Sequence, residues 1–273
     1  MLTTEKFEIL DLPYSITEEH QQQFRRDGFI KLKNVLSPEV IEYYGNLITE
    51  QVLKLNKQTK PMSERNTYEK AFLQIGNIWT KHEVVKEFCF SKRLARIAAE
   101  LMGTDGVRMY HDQALYKEPN GGITPWHADQ FYWPLSTHQT CTVWIPLQHT
   151  PMDMGPLAFS VGSQRFEFGR ELEISDESEK RISKALLDEK LPMNESPFDL
   201  GEVSYHYGWT YHRAGPNVSK LPRRVMTVIY MDKDIRVAKP KSKAQEHDSQ
   251  SCMPGVPIGE VPNTHLNPIL WEK

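Results

Sequence analysis

Residues 125–134 read PWHADQFYWP, and within them His127 and Asp129 stand one residue apart. On an extended chain, residues i and i+2 point to the same side, so an imidazole and a carboxylate at this spacing can converge on one metal ion. Two histidines and one carboxylate occupy one face of an octahedral iron(II) and leave the opposite face open. The pair alone is a weak signal. With 10 His and 36 acidic residues in 273, roughly 1.3 His-x-Asp/Glu pairs arise by chance at ordinary composition. A third ligand, and a reason for the open face, must come from elsewhere in the chain.

Outward from this motif the chain is strand-rich. Between about residues 104 and 235, short runs of Val, Thr, Tyr, Trp and Phe are punctuated by Gly, Pro and Asn: VRMYHDQALYKE, TCTVWIPLQH, GPLAFSVG, GEVSYHYG and RRVMTVIYM. A charged, helix-prone insert at about 171–198 interrupts them. Upstream, a helix is expected over 17–27, capped by Ser15 or Thr17 and ended by Gly28. FIKLKNVL (29–36) alternates like a half-buried strand, and Ser37-Pro38 opens a helix to Leu55. Further helices are expected over 68–79 and 82–102. Downstream of about 236 the chain turns polar and then proline-rich. The fold class read from this order is α+β: helices first, then a small antiparallel barrel or jelly roll.

Hydrophobic content of 39% and charged content of 25% are those of a globular protein. A net charge of −3 gives no nucleic-acid footprint, and no apolar run is long enough for a membrane span. The N-terminal MLTTEKFEIL has no signal-like pattern, and the C-terminal ILWEK is no peroxisomal address. Cys89, Cys141 and Cys252 are odd in number and far apart, which suits a reducing compartment. A cytoplasmic protein without nucleic-acid or membrane partners is expected.

The third ligand is sought in GEVSYHYGWTYHRAGPN, where His212 precedes a turn-rich segment and His206 is the alternative. His111 is followed directly by Asp112, a spacing that sends the two side chains to opposite faces of a strand. Arg223 falls eleven residues after His212, with Arg224 beside it. Only one of the two can point inward, and both faces of the strand are apolar, so periodicity leaves the choice open. An arginine fork in a partly buried strand needs an anion, and a carboxylate matches it in two-point fashion. A dicarboxylate such as 2-oxoglutarate could chelate the metal at one end and satisfy the arginine at the other.

With these residues assembled, the chain resembles the phytanoyl-CoA dioxygenase family of iron(II)- and 2-oxoglutarate-dependent oxygenases. FRRDGFIKLKNVLS, HDQALYKEP, PWHADQ, TVWIPL, GPLAFSVGS and HRAGPNVSKLPRR follow one another in family order, from about residue 20 to 232. The resemblance implies a double-stranded β-helix, the cupin-like jelly roll, with the N-terminal helices packed outside. It implies a single catalytic domain over 1–273: a helical part to about 103, the core to about 235, then the tail. His127, Asp129 and His212 would be the iron ligands at the catalytic centre. Arg223 would anchor the far carboxylate of 2-oxoglutarate, with Gln113, Trp144 and Thr142 lining its pocket. The implied reaction consumes O2 and hydroxylates an unactivated C–H bond of a small or mid-sized metabolite, releasing succinate and CO2. Asp129 argues against halogenation, because halogenating relatives carry a small residue there. The lack of a peroxisomal address and of a basic cluster for a CoA phosphate argues against phytanoyl-CoA itself as substrate. Three rivals stand beside this reading: a cupin-type metal enzyme that ignores 2-oxoglutarate, a non-catalytic metal-binding sensor or scaffold, and a structural or interaction protein in which the histidines are incidental. Phe131, Tyr132 and Trp133 belong either to the core or to a substrate pocket, and the insert is either a lid or a solvated helix.

Overall fold

Thr17 accepts the His20 amide on its side chain and opens α1 (Glu18–Asp27), which Gly28 closes in the left-handed conformation at φ 86°. These details come from a computed structural model that describes residues 8–273; residues 1–7, where the stretch without a signal-like pattern begins, lie outside the described residues. β1 (Phe29–Leu32) is shorter than the expected 29–36. The chain turns after Leu32, and the Gly201 carbonyl accepts the amides of Val35 and Leu36. Ser37 then caps α2 (Pro38–Leu55), with proline in the first turn as expected.

Two expected helices are corrected. The helix over 68–79 survives only as α3 (Thr67–Ala71), and β2 (Leu73–Gly76) follows it. Phe72 is fully extended, and Asn77 turns left-handed at φ 51°, so no helix can run through 72–77. The helix over 82–102 is two, α4 (Glu83–Cys89) and α5 (Lys92–Met102), because Ser91 leaves helical geometry to cap Leu94. The remaining elements are β3 (Gly106–Tyr116), β4 (Thr124–His127), β5 (Thr140–Pro146), β6 (Leu157–Ser160), α6 (Asp176–Asp188), β7 (Met193–Glu195), β8 (Val203–Tyr207), β9 (His212–Ala214), β10 (Val225–Asp232), α7 (Lys243–Cys252) and β11 (Ile269–Glu272). The polar, proline-rich tail thus carries a helix and a strand, and β11 pairs with β3.

The strands form two antiparallel sheets. The larger runs β1-β8-β5-β10-β3-β11, with β2 also on β3; the smaller runs β4-β9-β6-β7. Period-two alternation divides the large sheet. Cys141, Val143 and Ile145 of β5 and Met226, Val228 and Tyr230 of β10 join the core cluster shared with α1, α2, α4 and α5. Their neighbours Thr142, Trp144, Thr227 and Ile229 face a cavity between the sheets. Both faces of β10 are apolar because helices cover one and the jelly-roll interior the other. The fold is the α+β jelly roll with helices outside.

Candidate metal centre

β4 and β9 pair in a register that sets His127 directly opposite His212, and the two ring centroids are 4.1 Å apart. Asp129 lies just past the end of β4, yet Ala128 between them is extended at φ −125° and ψ 126°. The i, i+2 geometry therefore persists into the turn. Asp129 Oδ1 stands 3.7 Å from His127 Nε2 and 3.5 Å from His212 Nε2. Ligand atoms bound to one metal at about 2.1 Å lie roughly 3 Å apart, so this triangle needs only slight closing. These three are the metal-competent cluster among the described residues.

Each imidazole is oriented by its own backbone. His127 Nδ1 donates to the Pro125 carbonyl at 2.7 Å and His212 Nδ1 to the Thr210 carbonyl at 2.9 Å. A carbonyl can only accept, so both rings carry their proton on Nδ1 and present a bare Nε2 to the centre. Burial and the neighbouring His212 hold His127 down at about 4. Burial also holds His212 down at about 4, against the pull of Asp129. For Asp129, burial opposes the charge, but the three histidines around it outweigh that and keep its carboxyl well below the usual range.

The third of those histidines is His206, which the sequence offered only as a rival ligand. It sits on β8 opposite Thr142 of β5, with Nε2 3.4 Å from Asp129 Oδ2. Thr142 donates to that same oxygen. His206 therefore stands behind the carboxylate, outside the Nε2–Nε2–Oδ1 triangle. His111 also faces the cavity, from β3, while Asp112 points the other way and accepts the amides of Ile78 and Trp79.

Arg223 and Arg224 separate as neighbours on a strand must. Arg224 faces outward and donates to Gln148 Oε1 at 2.7 Å. Arg223 is buried at 2% exposure and lines the cavity. Its Nη1 donates to the Gly155 carbonyl at 2.5 Å, its Nε has no partner, and no acidic side chain among the described residues offsets its burial. Burial pulls its pKa down to about 9. The guanidinium lies over the Trp144 ring at 5.4 Å. A buried guanidinium with an orphaned N–H and no acid fits a carboxylate ligand.

Gln113, Thr142 and Trp144 all line this cavity of about 360 Å³. Gln113 takes a hydrogen bond from Gln74 of β2. Tyr132 and Trp133 face the cavity too, whereas Phe131 does not. Part of the remaining wall comes from segments that carried no signal in the sequence, Tyr68 and Phe72 around α3 and His247, Asp248 and Ser251 on α7, and Ile174 joins it from the insert. None of these has a motif; only chain topology brings them in.

The insert helix supports the centre from outside. Ile182 and Leu186 of α6 pack with Trp126, Ala128 and Tyr211. Glu179 accepts the Trp126 amide at 2.8 Å and pairs with Arg213, so one carboxylate holds the residues flanking both histidines.

The model of the phytanoyl-CoA dioxygenase (PhyH) family matches residues 24–225. A probable alpha-ketoglutarate-dependent hypophosphite dioxygenase of Stutzerimonas stutzeri is 23% identical over 231 residues, 79% of each chain. Among solved structures, the alpha-ketoglutarate-dependent carbocyclase SnoK from nogalamycin biosynthesis aligns with a TM-score of 0.75 at 22% identity, covering 94% of this chain and 99% of its own. The epimerase SnoN, solved with Fe3+, alpha-ketoglutarate and nogalamycin RO, aligns with a TM-score of 0.74 at 20% identity, covering 93% and 98%. With the family match spanning most of the chain, this protein belongs to the phytanoyl-CoA dioxygenase family of iron- and 2-oxoglutarate-dependent oxygenases.

Proposed function

We propose that this dioxygenase hydroxylates an unactivated C–H bond of a small or mid-sized metabolite, with iron(II) on His127, Asp129 and His212 and 2-oxoglutarate oriented by Arg223. The observation that carries it is the pairing of His127 with His212 across β4 and β9, with Asp129 Oδ1 turned toward both. Bound iron(II) and 2-oxoglutarate supply the oxidising chemistry, consuming O2 and releasing succinate and CO2.

The chain's own part is placement. The Nδ1–H bonds to Pro125 and Thr210 keep both Nε2 atoms bare. Thr142 and His206 occupy Asp129 Oδ2 and leave Oδ1 for the metal. Arg223 offers its fork to the far carboxylate, with Trp144 as the wall beneath it. With His127, Asp129 and His212 as its protein ligands, the metal would keep sites free for the co-substrate chemistry, and Arg223 would orient the co-substrate.

The test is to add iron(II) and 2-oxoglutarate to the purified protein without oxygen and record the visible spectrum. A weak charge-transfer band, lost in His212→Ala, is the expected result. Bound iron without the band would favour a cupin-type enzyme that ignores 2-oxoglutarate. No bound iron would favour a non-catalytic role.

A further inference from the structure

The cavity has a second polar wall that neither the three ligands nor Arg223 supply. α7 sets His247, Asp248 and Ser251 into it, from a stretch beyond the family-matched residues 24–225. α7 is firmly held. Ser242 caps it, Gln245 Nε2 donates to the Phe131 carbonyl at 2.8 Å, and Asn267 Nδ2 donates to the Cys252 carbonyl at 3.0 Å.

Apart from imidazoles, the cavity wall holds three ionisable acids and bases with formal charges: Asp129, Arg223 and Asp248. An iron(II) on Asp129 and a dicarboxylate on Arg223 cancel those two charges and their own. Asp248 is then left alone. Its Oδ2 accepts from the Tyr110 hydroxyl, and its Oδ1 has only the weak Cys252 Sγ donor at 4.0 Å. Burial raises its pKa, with His111, the Tyr110 hydrogen bond and the adjacent His247 opposing. Burial keeps His111 itself toward the neutral form, so it brings no full charge to the carboxylate. A lone acid in such a place gains from a cation.

The rings of the cavity suit the same ligand. Tyr132 and Trp133 pack in the cluster that holds Tyr110 and Cys252, Tyr68 and Phe72 line the same cavity, and aromatic faces attract an ammonium group. Trp133 packs against Tyr110 at 5.4 Å between centroids, and the Tyr110 hydroxyl donates to Asp248, so this ring and the acid are directly linked. We propose that Asp248 and these rings form a subsite for a protonated amine, which makes the substrate an amine-bearing metabolite. This rests on the oxygenase reading above, since the metal centre would lie in the same cavity.

The test uses protein loaded anaerobically with iron(II) and 2-oxoglutarate, titrated calorimetrically with three probes of matched shape. These are 2-phenylethylammonium, neutral 2-phenylethanol and anionic 3-phenylpropionate. The ammonium probe is expected to bind at least about tenfold more tightly than either other probe, a difference of about 1.4 kcal/mol. Asp248→Asn, shown to be folded by circular dichroism, is expected to bring the ammonium and the alcohol to within about threefold. Equal binding of the three probes, no ammonium binding at millimolar concentration, or a preference that survives Asp248→Asn would each overturn the subsite. If the variant does not fold, the wild-type ratio decides. Failure of the underlying reading shows separately, as wild-type protein that never develops the 2-oxoglutarate band.

Discussion

Thr142 Oγ1 donates to Asp129 Oδ2 at 3.0 Å, from a strand position directly opposite His206, whose Nε2 reaches the same oxygen at 3.4 Å. Two partners on Oδ2 turn Oδ1 toward the pair of imidazoles. Thr142→Val keeps the shape and removes the donor. Iron affinity is expected to fall about 10- to 100-fold, the usual effect of losing a hydrogen bond that orients a ligand. Affinity unchanged within error in anaerobic titrations would show that His206 alone suffices to hold the carboxylate.

Arg223 and Arg224 make a paired test. Arg223→Gln is expected to weaken 2-oxoglutarate binding about 100-fold or more, because a two-point charge-assisted contact disappears. Arg224→Gln removes an outward contact to Gln148 and is expected to change it less than about threefold. Titrating the charge-transfer band with 2-oxoglutarate reads both. Similar losses in the two variants would mean that the effect runs through the strand, not through the cavity.

This pair also shows what was legible in the chain. The ligand spacing at 127 and 129 survives folding because it depends only on a locally extended backbone. The choice between Arg223 and Arg224 depends on which face of β10 the helices cover, and both faces are apolar. That is a tertiary fact. His206 was visible as a histidine on a strand, but its place behind Asp129 follows from the β5–β8 register, which no local pattern encodes. Asp248 was further out of reach. It lies in a polar tail with no periodicity to mark its face, and it enters the cavity only because the chain returns to add β11 to the sheet.

The pH dependence of metal binding follows from the two buried imidazoles. Both sit at about 4 in the metal-free protein, against an ordinary value of 6.5. Above 4 the rings are already neutral, so protons do not compete with the metal. Iron affinity is expected to be nearly flat from pH 6.5 down to about 4.5. Two ordinary histidines would instead lose roughly 100-fold per pH unit below 6.5. The unfolded chain does bind those protons, so stability of the metal-free protein is full above 6.5. It is expected to fall as pH drops from 6.5 toward 4. Affinity that falls steeply from pH 6.5 would refute the depressed values.

The insert helix offers the sharpest distinction between a support and a lid. Glu179 accepts the Trp126 amide and pairs with Arg213, each adjacent to a histidine of the centre. A lid would move during turnover and leave the empty metal site untouched. A support would not. Glu179→Ala is expected to destabilise the protein by about 1–3 kcal/mol, the range for a buried amide left without its acceptor. Iron affinity should fall several-fold, because β4 loses the bond that holds it beside His127. Faster amide exchange at Trp126 would locate the loosening there. Unchanged iron affinity together with slowed turnover would reverse the assignment and make the insert a gate.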